Sequence, residues 1–300
     1  MGRKLKVEVG AINVVMEKHK THNYIDMLDE ISRMDNEVIF RGETRASMSG
    51  RELKDSESLE FKQIAGQKFL GTIYKYSELS ESTTWHDTKT ESTANPETLS
   101  QISIPKHLKP HEKQFKFIFF ADSHTLIYQA YSKGHILTPK QAVNILSKFF
   151  NKPQIINNFG TVTATHFPEE LEIKEVLKKF KKIKSIDLKI LRPNADHNSG
   201  LDEDFLERME SLHVDRIEQS YRASHDDSIN VDEELEDTVN FASKNGVSTI
   251  KGSASDGTPA DYTSKDNPKK EVFYYDSGDV SPDKMFFKGA KSFFSQLFKR

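Results

Sequence analysis

The chain has no cysteine among its 300 residues. That removes disulfides, thiolate metal sites and cysteine nucleophiles in one step and fits a reducing compartment. No uninterrupted apolar run approaches the roughly 20 residues that span a bilayer. Met1-Gly2-Arg3-Lys4 leads into a strand pattern without an apolar signal region, so a cytoplasmic protein is expected. Lys6 stands where a myristoylation signal needs Ser or Thr, so lipidation of Gly2 is not supported. Neither sign of charge dominates, with 43 Lys and Arg against 46 Asp and Glu and a formal net charge of -3. Any anion affinity must therefore come from local segregation of charge. A Gly-x-x-x-x-Gly-Lys phosphate loop, a strand-linked Gly-x-Gly-x-x-Gly and a Gly-x-Ser-x-Gly elbow are all missing. No cofactor is implied.

What is present describes a folded chain, 35% hydrophobic and 10% aromatic, long enough for one large or two ordinary domains. Leu5, Val7, Val9, Ile12, Val14 and Val15 read as a long opening strand. Thr21 caps a helix carrying Tyr24, Ile25, Leu28 and Ile31, and strand character resumes at Val38 and Phe40. Phe61 to Tyr76 reads as strand with a turn or bulge at Gly66 or Gly71. Ser77 to Thr98, rich in Ser and Thr, reads as a long surface loop whose one tryptophan, Trp85, docks on the protein body. Phe115 to Ala121 and Leu126 to Tyr131 form a hairpin, and Thr138-Pro139 opens a helix. Beyond residue 160 strands and helices alternate. Pro168 to Lys181, Asp202 to Leu212 and Val231 to Asn245 are helical, the last closed by Gly246.

Because the strands alternate polar and apolar residues, the expected fold is α+β in two lobes. Each lobe is a mostly antiparallel or mixed sheet with helices packed on one face. The lobes are expected at 1–155 and 156–282, followed by a basic amphipathic helix over 283–300.

The densest local charge lies in 169–194, where Lys174, Lys178, Lys179, Lys181, Lys182 and Lys184 surround an apolar stripe of Leu171, Val176, Leu177, Phe180 and Ile183. This reads as a basic helix feeding a core strand that ends at Arg192. Its broad positive surface, extended by Arg192, suits a phosphate backbone better than a small ligand. The competing reading is a solvated helix end whose cations favour the carboxyl terminus of the macrodipole.

Three other constellations bear on chemistry. In the last helix Phe286, Phe287, Phe293, Phe294, Leu297 and Phe298 share one face opposite Lys284, Lys288, Lys291 and Lys299. Such a helix docks on its own sheet, clasps a partner or second copy, or lies on an anionic membrane. Glu172-Ile173-Lys174 and Asp187-Leu188-Lys189 each hold the carboxylate-x-lysine fragment of metal-dependent nucleases, which makes a nuclease the alternative reading. His107 and His111 are four apart, but Pro105 and Pro110 deny them a shared helix, so no metal site is expected.

Several stretches together resemble a bacterial family known as a domain of unknown function, over nearly the whole chain. They are the opening strand and helix, Phe69-Leu70-Gly71-Thr72-Ile73-Tyr74, Trp85-His86-Asp87, the Phe117 to Tyr131 hairpin, Ile190-Leu191-Arg192-Pro193-Asn194-Ala195-Asp196 and Asn245-Gly246 onward. More distantly, the order of elements is similar to that of the phage-exclusion protein RexA. That similarity implies a non-catalytic DNA-binding sensor of antiviral defence, dimeric and working beside a membrane-associated effector. DNA is favoured over RNA on the same ground.

Overall fold

The computed structural model describes residues 4–17, 21–35, 37–54, 59–79, 83–167, 173–192, 200–225, 227–276, 278 and 280–298. In chain order the elements are β1 (Lys4–Met16), α1 (Thr21–Arg33), β2 (Val38–Arg41), β3 (Thr44–Glu52), β4 (Lys68–Ser77), β5 (His86–Asp87), β6 (Ser92–Thr93), α2 (Pro96–Leu99), β7 (Lys113–Phe120), β8 (Thr125–Ser132), β9 (His135–Ile136), α3 (Pro139–Phe150), α4 (Pro153–Phe159) and β10 (Val162–His166). There follow α5 (Ile173–Leu177), β11 (Lys182–Leu191), α6 (Gly200–Ser211), β12 (Arg216–Arg222), α7 (Glu233–Lys244), β13 (Gly246–Ser253), β14 (Pro259–Thr263), β15 (Lys270–Asp276) and α8 (Pro282–Leu297). The fold is α+β, with every strand pairing antiparallel.

The larger sheet has nine strands in the order β10-β1-β8-β7-β4-β3-β2, with β15 beside β1 and β9 beside β8. β1 is its axis. Along one side it pairs with β8, and along the other its first half takes β15 and its second half β10. Side chains alternate between the two faces, so Ile12, Val14 and Met16 meet α1, α3 and α4. Val7, Val9 and Ala11 point the opposite way, into a second core with α8. The same split runs through β7, where Phe115, Phe117 and Phe119 face one core and Ile118 and Phe120 the other. Both faces of its central strands are therefore covered, not one as expected. The expectation of a wet face fails because the central strands are nearly continuous apolar runs, the signature of a sheet buried on both sides.

The smaller sheet, in the order β12-β11-β13-β14, keeps the expected one-sided arrangement. Ile183, Ile186, Leu188 and Ile190 of β11 face Val176, Met209, Val239 and Phe241 of α5, α6 and α7. The other face, with Asp187, Lys189, Ser220 and Thr249, is open. Sheet membership does not follow a division at residues 155 and 282, because β10, β15 and α8 all pack on the larger sheet. A turn at Asp256-Gly257 joins β13 to β14 as a hairpin. Gly246, read as a helix stop, is the first residue of β13. A Cβ there would run into the backbone carbonyl of Lys189 on the neighbouring strand. Its role is close backbone approach, not a left-handed cap.

Local chemistry fixes the element ends. Thr138 accepts a hydrogen bond from the Gln141 N–H at 3.3 Å and is followed by Pro139 at the first position of α3. Asp232 and Ser281 do the same for α7 and α8. The side chain of Thr21, expected to cap α1, lies outside the described residues. Trp85 directly precedes the short β5–β6 hairpin and is 37% exposed, so the indole is not buried in the body as a docked anchor would be.

Candidate anion-binding cleft

The lysines that stood together in the sequence are dispersed by the fold. The helix over 168–181 reduces, among the described residues, to the single turn α5. Lys179 N–H bonds the Val176 carbonyl and Phe180 N–H that of Leu177, a tight turn that ends it. Lys181 N–H is already in a strand contact with the Ser253 carbonyl at 2.7 Å. Lys182 and Lys184 thus lie at the start of β11 and not on a helix. Lys174 faces Glu236 at 3.7 Å, and Lys178 is paired with Glu175 at 2.5 Å. Arg192 follows the far end of β11, about 30 Å away at the ordinary strand rise, and is bound to Glu210 at 2.6 Å. Lys179, Lys181, Lys182 and Lys184 are exposed. Leu171, Glu172 and the 193–196 part of the sequence resemblance lie outside the described residues.

Asp187, the carboxylate of the nuclease reading, projects from the open face of the smaller sheet. It accepts hydrogen bonds from Ser220 Oγ at 2.7 Å and Arg222 at 2.8 Å. Partial burial would raise its pKa, but the Ser220 and Arg222 bonds outweigh that and hold it below the usual carboxylate range. Among the described residues no three His, Asp or Glu side chains gather as a metal-binding set.

The terminal helix is docked. Phe286 and Phe293 are fully buried, and Phe287, Phe294 and Leu297 pack partly buried in the same core. Phe298 meets Phe294 with ring centroids 4.7 Å apart and Phe167 at 6.2 Å. Lys116 to Asp283 at 2.6 Å and Gln296 to Glu271 at 2.8 Å clamp its two ends. The face read as a partner or membrane contact is thus turned inward, because the second face of the larger sheet needs an apolar cover.

A different cationic site, not singled out in the sequence, lies at the β4–β7 end of the larger sheet. On β4 the core-facing positions run Phe69, Gly71, Ile73 and then Lys75, and on β7 they run Phe119, Phe117, Phe115 and then Lys113. The register sets Lys75 directly opposite Lys113. Like charges in that position destabilise a sheet. Lys75 is only 9% exposed; its ammonium donates to Gln141 Oε1 at 3.1 Å and lies 5.3 Å from the centre of the Phe40 ring. Burial, and secondarily Lys113, lower its pKa.

The pair opens into a cleft of about 610 Å³ whose wall also carries Arg41, Lys140 and His111. Among the described residues no carboxylate lines it. The amino end of α3 forms one side through Thr138, Lys140, Gln141 and Asn144, and its first turn holds no acidic residue. Helix N-termini favour anions, so that end adds to the positive field. Acidic residues that flank the lining in the chain carry bonds of their own: Glu43 accepts from Thr83 Oγ1 and Glu112 from Gln114 Nε2, each at 3.0 Å. Glu78 binds Arg45 and Lys109, each at 2.7 Å, and the Lys109 bond chiefly holds its pKa down. Glu37 accepts from Tyr76 at 2.9 Å. His111 Nδ1 lies 3.2 Å from Ser77 Oγ at the rim.

The signal that could have found this site is the strict alternation placing Lys75 and Lys113 on otherwise apolar faces. A lysine at a core position is costly unless it has work to do there. Comparison with curated proteins returns no match. A family model matches residues 5–291, so the chain belongs to the family described as Domain of unknown function (DUF4747).

Proposed function

We propose that the protein is a nucleic-acid-binding component that takes hold of phosphate groups in the cleft between β4, β7 and α3. One observation carries this reading: Arg41, Lys75, Lys113 and Lys140 line one concavity, with no carboxylate in its lining among the described residues. In a chain with more acidic than basic residues overall, such local excess is what draws a polyanion. The exposed lysines at the start of β11 supply a second, shallower positive surface. The antiphage role and the preference for DNA rest on the resemblance in element order alone.

Fluorescence anisotropy of a labelled oligonucleotide at moderate salt tests the reading. Arg41→Glu/Lys113→Glu/Lys140→Glu should weaken binding at least about a hundredfold, since each cation lost forfeits counterion release. Lys179→Glu/Lys181→Glu/Lys182→Glu/Lys184→Glu should weaken it less. A cleft variant that melts normally and binds as the native protein overturns the assignment.

A further inference from the structure

We propose, building on the reading above, that the cleft is shaped for a phosphomonoester, the terminal phosphate of a nucleotide or of a nucleic-acid strand, rather than for the diesters of a continuous backbone. Three features point there. First, the cleft has a volume of about 610 Å³ and opens to solvent. That is the size of small-ligand sites, roughly 300–1,000 Å³, whereas a duplex backbone is tracked by an extended surface. Second, the charge count exceeds what one diester needs. A diester carries one negative charge, while a phosphomonoester carries about 1.5 to 2 at neutral pH. Four cationic side chains and the amino end of α3 line the cleft, with no carboxylate in the lining among the described residues.

Third, the floor of the cleft is preorganised. Lys75 is nine-tenths buried and held by Gln141, leaving further N–H donors on an ammonium that has three. Its position directly opposite Lys113 is unfavourable in the empty cleft, and a dianion between them would remove that repulsion. The Gln141 backbone is held in the first turn of α3, where its N–H donates to Thr138 Oγ1. Lys113, Arg41 and Lys140 then close on the exposed oxygens from β7, β2 and α3.

The test uses the full chain and two forms of one single-stranded oligonucleotide, 5′-phosphorylated and 5′-hydroxyl. AMP, inorganic phosphate and adenosine serve as competitors. The 5′-phosphorylated strand should bind about tenfold more tightly, the value of one charge-assisted contact set. AMP should compete and adenosine should not. Lys75→Met should erase the tenfold preference, so that both strands bind with one and the same weakened affinity, and Lys140→Glu, at an exposed position, should do likewise if Lys75→Met fails to fold. Competition by AMP with equal binding of the two strands also supports the inference and identifies a free nucleotide as the source. Equal competition by inorganic phosphate and AMP supports it with the phosphate group alone as the ligand. If the strands bind equally and neither AMP nor phosphate competes, the inference falls while nucleic-acid binding stands. If AMP binds and neither strand does, nucleic-acid binding falls and the phosphomonoester site stands.

Discussion

Replacing Lys113 with Glu should make the protein more stable and less able to bind phosphate at the same time. In the native chain Lys113 sits directly across the β4–β7 ladder from the buried Lys75. The substitution turns a like-charge pair into an opposite-charge pair. Cross-strand charge pairs are worth roughly 0.2–1 kcal/mol in either direction, so relief of repulsion plus new attraction amounts to about 1 kcal/mol. For a chain of 300 residues that is a rise in Tm of about 2 °C. Urea denaturation should show a higher midpoint with an unchanged slope. The pH dependence gives a second readout. The folded-state pKa of Lys75 is depressed below its ordinary value of 10.5, by burial first and Lys113 second. Between the depressed value and 10.5 the unfolded chain therefore binds more protons, and native stability rises with pH across that window. In Lys113→Glu the second cause reverses sign, so the rise should shrink. Lys113→Met, which removes repulsion without adding attraction, should fall between the two. A Lys113→Glu protein that is less stable than native and binds phosphate-bearing ligands as well as native would refute the reasoning.

Other outcomes follow from the packing. Phe293→Ala opens a cavity under α8 where the native ring is fully buried and should cost about 3–5 kcal/mol in chemical denaturation; no loss would mean that the helix is not docked in solution. Gly246→Ala forces a Cβ against the Lys189 carbonyl and should cost about 3 kcal/mol or more, seen as a large drop in Tm. Tyr128 is buried over Gly10, and its hydroxyl has no hydrogen-bond partner among the described residues. Tyr128→Phe should therefore be neutral or stabilising by about 1 kcal/mol, and a clear destabilisation in a thermal melt would argue against that environment.

What was legible in the sequence was local. The opening strand, the Phe115 to Tyr131 hairpin, the Thr138-Pro139 helix start and the α+β character all follow from periodicity and capping within a dozen residues. What was not legible depended on pairing over long separations. Nothing near Leu5 announces that β1 is flanked by β15, beginning at Lys270, or by β10, beginning at Val162. Without that knowledge the two sheets cannot be apportioned along the chain. The lysine-rich stretch misled for a related reason. Proximity in sequence between Lys174 and Arg192 was read as proximity in space, and an extended strand carried its ends apart. The cleft shows the converse. Arg41, Lys75, Lys113 and Lys140 are each some thirty residues apart and come together only because β2, β4 and β7 share a sheet capped by α3.

The most direct test of the central claim is lysine footprinting, in which every ammonium group is acylated with and without an oligonucleotide and read by mass spectrometry. The account predicts that Lys113 and Lys140 become strongly protected on binding and that Lys179, Lys181 and Lys184 are protected less. Protection confined to those three, with the cleft lysines unchanged, would contradict it.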